Sequence, residues 1–387
     1  MNQWPIVKLG DVCTVVGGGT PKTTVPEYWG GTIPWLTPKD LSGNKNLYVS
    51  CGERSITESG LDNSSAALLP KGTVLWSSRA PIGHVAIAET NVATNQGFKS
   101  FIPGLNVDSE YLAYTLIFMK DQLQEIGTGA TFKEVSAKRA KSIQIPLPPL
   151  DEQRRIAQIL KLVDFQKHTV SHVLSVTFKS LRTSIFHRVS SGPEVEERRL
   201  SEICDLYGGA SLPKGIPFDN TKDGLLLMKV SDMNEKGNER HIHSTAVHVP
   251  SIPENLPNSI APAHTVVLPK RGAAIATNKK RLTTRYTMLD PNLIGVRCKT
   301  PAVNSTYLYE WFENFDLTTI TSGSSIPQLN KKDLNPLLIP IPSTTALQGF
   351  TGASSKIDEI EQHVRDKLAL LEELHQSLAT RAFAGQL

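Results

Sequence analysis

Arg79 and Arg271 close two matched runs, TVLWSSR from Thr73 and TVVLPKR from Thr265, and Lys22 and Lys214 each follow a proline in a second matched pair. Ammonium and guanidinium groups at loop tips neutralise phosphates, and an arginine fork also meets a guanine edge bidentately. Lys133, Lys138, Arg139 and Lys141 answer Lys331 and Lys332, while the second half adds Lys270, Lys279, Lys280, Arg281 and Arg285. Lys39 and Lys229 stand in a third matched stretch, and the amides of Asn95, Gln96, Asn278 and Gln328 are of the type that pairs with adenine. Taken singly, each is an ordinary solvated surface group. Recurrence at equivalent places sets them apart, so the candidate nucleic-acid contacts are Lys22, Lys39, Arg79, Gln96, Lys133, Lys138, Lys214, Lys229, Lys270, Arg271, Lys279, Lys280, Gln328 and Lys331.

A duplicated enzyme should carry a catalytic constellation twice. The sequence holds no phosphate-loop lysine, no GxGxxG after a strand, no HExxH, no GxSxG and no Asn-Pro-Pro-aromatic motif. Gly17 to Gly19 reads as a plain turn, because no helical pattern follows it. His241, His243 and His248 have no second ligand group in the matched half and read as a polar loop. Cys13, Cys51, Cys204 and Cys298 are scattered, without CxxC spacing, and read as reduced small hydrophobes.

The elements that position the basic residues come in two copies. KLGDVCTVVGGGTPK from Lys8 parallels RLSEICDLYGGASLPK from Arg199, so Leu9 answers Leu200, Cys13 answers Cys204, and Gly17 and Gly18 answer Gly208 and Gly209. IPWLTPKDL pairs with LLLMKVSDM, setting Asp40 against Asp232, and TNQGF from Thr94 pairs loosely with DPNLIG from Asp290. GTGATFKEVSAKRAKSIQIPLPP matches TSGSSIPQLNKKDLNPLLIPIP. A period near half the chain is a duplicated domain and not a solenoid. Short runs rich in Val, Ile, Thr and Trp, broken by Gly, Pro and Asn, make each copy α+β, over residues 1–150 and 198–342.

Each copy runs into a long helix, over residues 151–190 and 346–387. In SIQIPLPPLDEQRRIAQILKL from Ser142, Ile143, Ile145 and Leu147 alternate as a strand, the prolines end the ladder, and Asp151 is expected to cap a helix whose first turn Glu152 favours. Ile156, Ile159, Leu160, Val163, Val170, Val173, Leu174, Leu181 and Ile185 then recur at helical spacing, in a helix of about 37 residues, roughly 55 Å. Ile357, Val364, Leu371 and Leu378 fall seven apart, the pattern of a coiled-coil seam. At the second junction Gly349 and Gly352 weaken the start by up to about 1 kcal/mol each, which predicts a later onset than in the first. The expected architecture is two pseudo-twofold-related globular α+β domains separated by two long antiparallel helices forming a coiled coil.

Hydrophobic residues make up 39% and charged residues 20%, a globular balance, and the net charge of +4 leaves the distribution of charge to carry the argument. No apolar run reaches membrane-spanning length and the first residues lack a signal-peptide pattern, so the expectation is a cytoplasmic protein without membrane association.

The junction SIQIPLPPLDEQRRIAQIL, its echo LLIPIP, the paired glycine openings and the PKGTVL turn together resemble the specificity subunit of type I restriction-modification systems, over the whole chain. The resemblance implies two target-recognition domains, each reading one half of a bipartite site on double-stranded DNA, with the helices as the ruler between them. It also implies two docked methyltransferase subunits, and restriction endonuclease/translocase subunits joined to that core. S-adenosylmethionine, ATP and Mg2+ would sit on those partners and no cofactor on this chain, which would be a non-catalytic recognition subunit. The alternatives are a coiled-coil adaptor for protein partners, or a stand-alone DNA-modifying enzyme with an unfamiliar motif.

Overall fold

The computed structural model describes residues 4–387 other than 43, 45, 80, 129–132, 220–223, 255, 300–302 and 322–326. The ends of the matched glycine-serine runs, at 129–132 and 322–326, therefore lie outside the described residues. The chain divides into two compact units, Met1–Ser171 with Asp366–Leu387, and His172–Arg365. Each long helix thus contributes to both units.

In the first unit a five-stranded sheet has the order Cys13–Gly17, Phe98–Pro103, Val74–Ser77, Val85–Ala88 and Tyr48–Val49. Only its last pair is parallel. The second unit repeats this as Cys204–Gly208, Leu293–Cys298, Val266–Pro269, Arg281–Thr283 and His241–Ile242, again parallel only at the end. Beside it, the first unit has a three-stranded sheet around Trp29–Leu36, and the second a five-stranded one around Leu225–Met228.

The predicted proline-ended strand is Gln144–Pro146, paired antiparallel with Ile6–Lys8, and its echo Leu338–Ile341 pairs with Glu196–Arg199. Matched tyrosines close both corners: Tyr111 donates its hydroxyl to the Pro146 carbonyl at 2.7 Å, and Tyr307 to that of Pro340 at 2.6 Å. The helices begin differently from the expectation. The first, Leu150–His172, starts with the Pro149 carbonyl accepting from the Glu152 and Gln153 amides, so Asp151 lies exposed within the first turn and is not the cap. The last helix runs Thr344–Phe383 straight through Gly349 and Gly352. Both glycines face open space, and the buried Leu347 and Phe350 beside them supply packing that outweighs their poor propensity.

Within the first unit Ile156, Leu160 and Val163 are buried, the first two packing with Ala379, Ala382 and Phe383, while Leu371 and Leu378 are half-buried. Arg155 reaches the Leu387 carbonyl and Asp164 meets His375, so the two segments run antiparallel. Within the second unit Ile357 is buried, Leu174 and Val364 are half-buried, and Leu181 is 43% exposed. Phe178, Arg182 and Phe186 take the inward positions instead. A π-helical turn at Val173–Thr177 accounts for the change, since one extra residue in the ladder advances the buried stripe by one position.

Arg182 is buried with its Nη2 2.8 Å from Asp358 Oδ1 and 2.6 Å from Glu361 Oε2. Arg240 adds a buried pair with Glu310 at 2.5 Å.

Candidate nucleic-acid interface

Three turns of the first unit meet around a cleft of 810 Å³ whose walls include Lys39, Arg79, Asn95, Lys133 and Glu134. The turn bearing Lys39 is pinned by Asp40, whose carboxylate accepts from the Thr37 amide at 2.7 Å, the Thr37 hydroxyl at 2.7 Å and the Glu53 amide at 2.8 Å. Burial raises the Asp40 carboxyl, but these donors together outweigh it and hold it below the usual carboxylate range. Asp40 thus shapes the turn, and Lys39 projects from it, 80% exposed beside Glu53. Asp232 does the same in the second unit, accepting from the amides of Lys229 and Ala246.

Arg79 extends the strand Val74–Ser77 and forms an isolated antiparallel bridge with Glu134; Arg271 forms the same bridge with Gln328. The Val135 amide donates to the Ser78 carbonyl at 3.0 Å, and the Leu329 amide to that of Lys270 at 2.9 Å. By these bonds Arg79 in the first unit corresponds to Arg271 in the second, and Glu134 corresponds to Gln328. Asn95 Oδ1 accepts from the Gly97 amide at 2.9 Å, and Thr20 donates to the exposed Gln96. Lys22 is exposed, its carbonyl held by the Trp29 indole at 3.3 Å, while Arg54 stacks 3.5 Å over the Trp29 ring.

So Lys39, Arg79 and Lys133 come together in one cleft. Lys22, Gln96 and Lys138 are exposed in the same unit without lining it. In the second unit Lys214, Lys229, Arg271 and Lys331 are exposed, and Lys270, Gln328 and Lys279 are half-buried. Lys331 turns its ammonium onto the Leu206 carbonyl at 3.1 Å, and Lys279 bonds to Asn234.

Lys280 and Arg281 correct the sequence reading. Lys280 is fully buried and donates to the Phe315 carbonyl at 2.8 Å, and burial pushes its ammonium down to about 8. Arg281 is buried with its guanidinium on the Lys280 and Met233 carbonyls. Arg281 opens a strand, Arg281–Thr283, that is buried at every position, Lys280 immediately precedes it, and internal carbonyls accept from Lys280 Nζ and from both Nη atoms of Arg281.

Sequence reading missed Glu134 and Lys99. The only local signal for Lys99 was a charge inside the strand run FKSFIP, where the neighbours are apolar or small.

Residues 1–171 match the family described as type I restriction modification DNA specificity domain. The chain is 38% identical over 245 residues to the type I restriction enzyme MjaIX specificity subunit of Methanocaldococcus jannaschii, covering 57% of this chain and 56% of the relative. It is 29% identical over 173 residues to the EcoR124I/EcoR124II specificity subunit of Escherichia coli, covering 43% of this chain and 42% of that one. The chain therefore spans about half the length of the curated relatives it matches. Among solved structures, the type I restriction-modification system S subunit from M. genitalium aligns with a TM-score of 0.54 at 15% identity, over 99% of this chain and 96% of that one. A chain described under complex assembly and conformational transition of the type I R-M system aligns with a TM-score of 0.62 at 18% identity, over 99% and 98%. Over these stretches the chain is similar to specificity subunits of type I restriction-modification systems.

Proposed function

We propose that this chain is the sequence-specific DNA-recognition subunit of a type I restriction-modification complex and performs no chemistry itself. Each globular unit reads one half of a bipartite site on double-stranded DNA, and the paired helices set the unread gap between the halves. The observation that carries this reading is the recurrence of one arrangement at register-equivalent positions, an arginine bridged to a carboxylate or amide residue, Arg79 to Glu134 and Arg271 to Gln328, beside turns bearing Lys39 and Lys229. Arginine and amide groups are what base edges require, and the flanking lysines suit phosphates.

The same helices dock two methyltransferase subunits. Leu162 and Phe165 are 63% and 65% exposed on the first helix, and Leu370 and Leu374 stand exposed on the last, an apolar surface of the kind a protein partner covers. Restriction endonuclease/translocase subunits complete the complex, with S-adenosylmethionine, ATP and Mg2+ on the partners.

The test is co-purification with the methyltransferase subunit, followed by mapping of adenine methylation on random-sequence DNA with and without this chain. A bipartite motif that needs this chain, and whose halves change separately when residues 1–150 or 198–342 are exchanged, supports the reading. Methylation or cleavage by this chain alone defeats it.

A further inference from the structure

Lys99 lies on the strand Phe98–Pro103 with its side chain only 11% exposed. An ammonium in that setting needs a counter-charge. Its Nζ sits 3.4 Å from Glu134 Oε1 and 3.4 Å from the Ser78 hydroxyl. The other carboxylate oxygen, Glu134 Oε2, sits 3.5 Å from Arg79 Nη1. One carboxylate is thus held between a buried cation and an arginine that lines the cleft. This pair occupies one of the five N–H donors of Arg79, leaving the others for a ligand.

The second unit lacks this device. Lys99 stands opposite Gly17 and Trp76 in the sheet, and the residue opposite Gly208 and Leu268 is the buried Ile294. Glu134 corresponds to Gln328 through the shared bridge. The acid and its buried counterion are therefore replaced together, whereas the arginine is kept in both units. An acid retained merely as a surface charge would not require a matched buried lysine.

We propose that Glu134, pinned by Lys99, is a positioning residue that holds Arg79 as the reader of one base pair. This rests on the reading of the cleft as a DNA-recognition site, and it deepens that reading. A carboxylate beside DNA repels phosphates, so its value there lies in orientation and not in affinity. A pre-oriented guanidinium loses less rotamer freedom when it docks, which sharpens discrimination between correct and incorrect bases. Arg271, beside a neutral amide, lacks that restraint.

The experiment selects bound sequences from a random duplex library with the full chain, as wild type, Arg79→Gln, Glu134→Gln and the double variant. The expected result is that both single variants relax the same base pair in one half of a two-part motif, by roughly tenfold or more in preference. The other half is unchanged, and the double variant loses no more than Arg79→Gln. Lys99→Met gives the same relaxation if it folds; Glu134→Gln, a near-isosteric change at a partly exposed site, keeps the test valid if it does not. Retained preference in Glu134→Gln with loss in Arg79→Gln overturns the proposal, as do additive losses, which would place Glu134 on a base itself. A wild-type motif unaffected by Arg79→Gln overturns it while leaving DNA reading intact. No enrichment by the wild-type chain would defeat the DNA-recognition reading as well.

Discussion

A β-carbon on Gly18 would stand 1.9 Å from the carbonyl oxygen of Asn95, and one on Gly209 would stand 1.7 Å from that of Asp290. The opening strand of each unit therefore leaves the sheet by pressing its backbone directly onto the matched turn, TNQGF in the first unit and DPNLIG in the second, an approach only glycine permits. Gly17, one residue earlier, has no atom within 4 Å of its β-carbon position. Gly18→Ala should cost about 2–3 kcal/mol and loosen the turn that carries Asn95 and Gln96, whereas Gly17→Ala should stay within about 1 kcal/mol. Urea denaturation of the two variants checks the contrast, and equal effects would contradict it.

Gln153 makes a second, unit-specific prediction. Its buried amide donates to the carbonyls of Asn106 at 2.9 Å and Pro148 at 2.8 Å and accepts from the Asp108 amide at 2.8 Å. Removing it strands three backbone groups at the strand-to-helix corner. Gln153→Ala should therefore cost about 2–4 kcal/mol, most of it desolvation no longer compensated. In the second unit the buried Leu347 stands at this point of the helix start, and Leu347→Ala should cost a similar amount by leaving a cavity. Leu347→Gln should not rescue it, because an unmatched amide would then be buried. Thermal unfolding of the three variants decides the matter.

The duplication, the strand before each proline corner and both long helices were legible because each rests on local spacing that repeats. The π-helical turn at Val173–Thr177 was not legible, since no residue type marks an extra residue in a helical ladder, and it moved Leu181 out of the buried stripe and Phe178 in. For the site, the matched position of Arg79 and Arg271 was readable from the runs that precede them. Whether a lysine faces solvent was not: Lys279 and Lys280 are adjacent and alike in sequence, yet Lys280 is fully enclosed while Lys279 stays partly open. Glu134 escaped notice because its significance lies in Lys99, a partner 35 residues away in sequence.

Arg182 and Glu361 predict an acid limb of stability. Burial raises the Glu361 carboxyl, but hydrogen bonds and charge from Arg182 and Arg365 outweigh this and hold it below its ordinary 4.5. A carboxyl lowered on folding contributes stability that is complete above the unfolded value and lost as pH falls through the folded one. Stability should therefore decline below about pH 4.5, and Glu361→Gln should flatten that decline. Arg182→Met removes the buried cation from between two carboxylates and should cost about 3–5 kcal/mol at neutral pH, and less in acid, where those carboxylates can protonate. Urea midpoints across pH test both, and an unchanged acid slope in Glu361→Gln would contradict the assignment.

The contrast between Lys133 and Lys280 tests which lysines belong to the interface. Each phosphate neutralised by an exposed lysine releases counterions, so log K falls against log salt with a slope of about −0.9 per contact. Lys133 is exposed on the cleft wall, and Lys133→Ala should weaken binding to all sequences alike and make the slope shallower by about 0.9. Lys280 has its ammonium on the Phe315 carbonyl and no exposed surface, so Lys280→Met should leave the slope unchanged. It should instead alter stability in alkali. Because burial lowers the folded ammonium to about 8 from 10.5, the unfolded chain binds the extra proton between those values, and wild-type stability should gain with rising pH across that window. Lys280→Met should lose that gain. Fluorescence titration of DNA at several salt concentrations, with denaturation midpoints from pH 7 to 11, measures both; a shallower salt slope in Lys280→Met would return that lysine to the DNA surface.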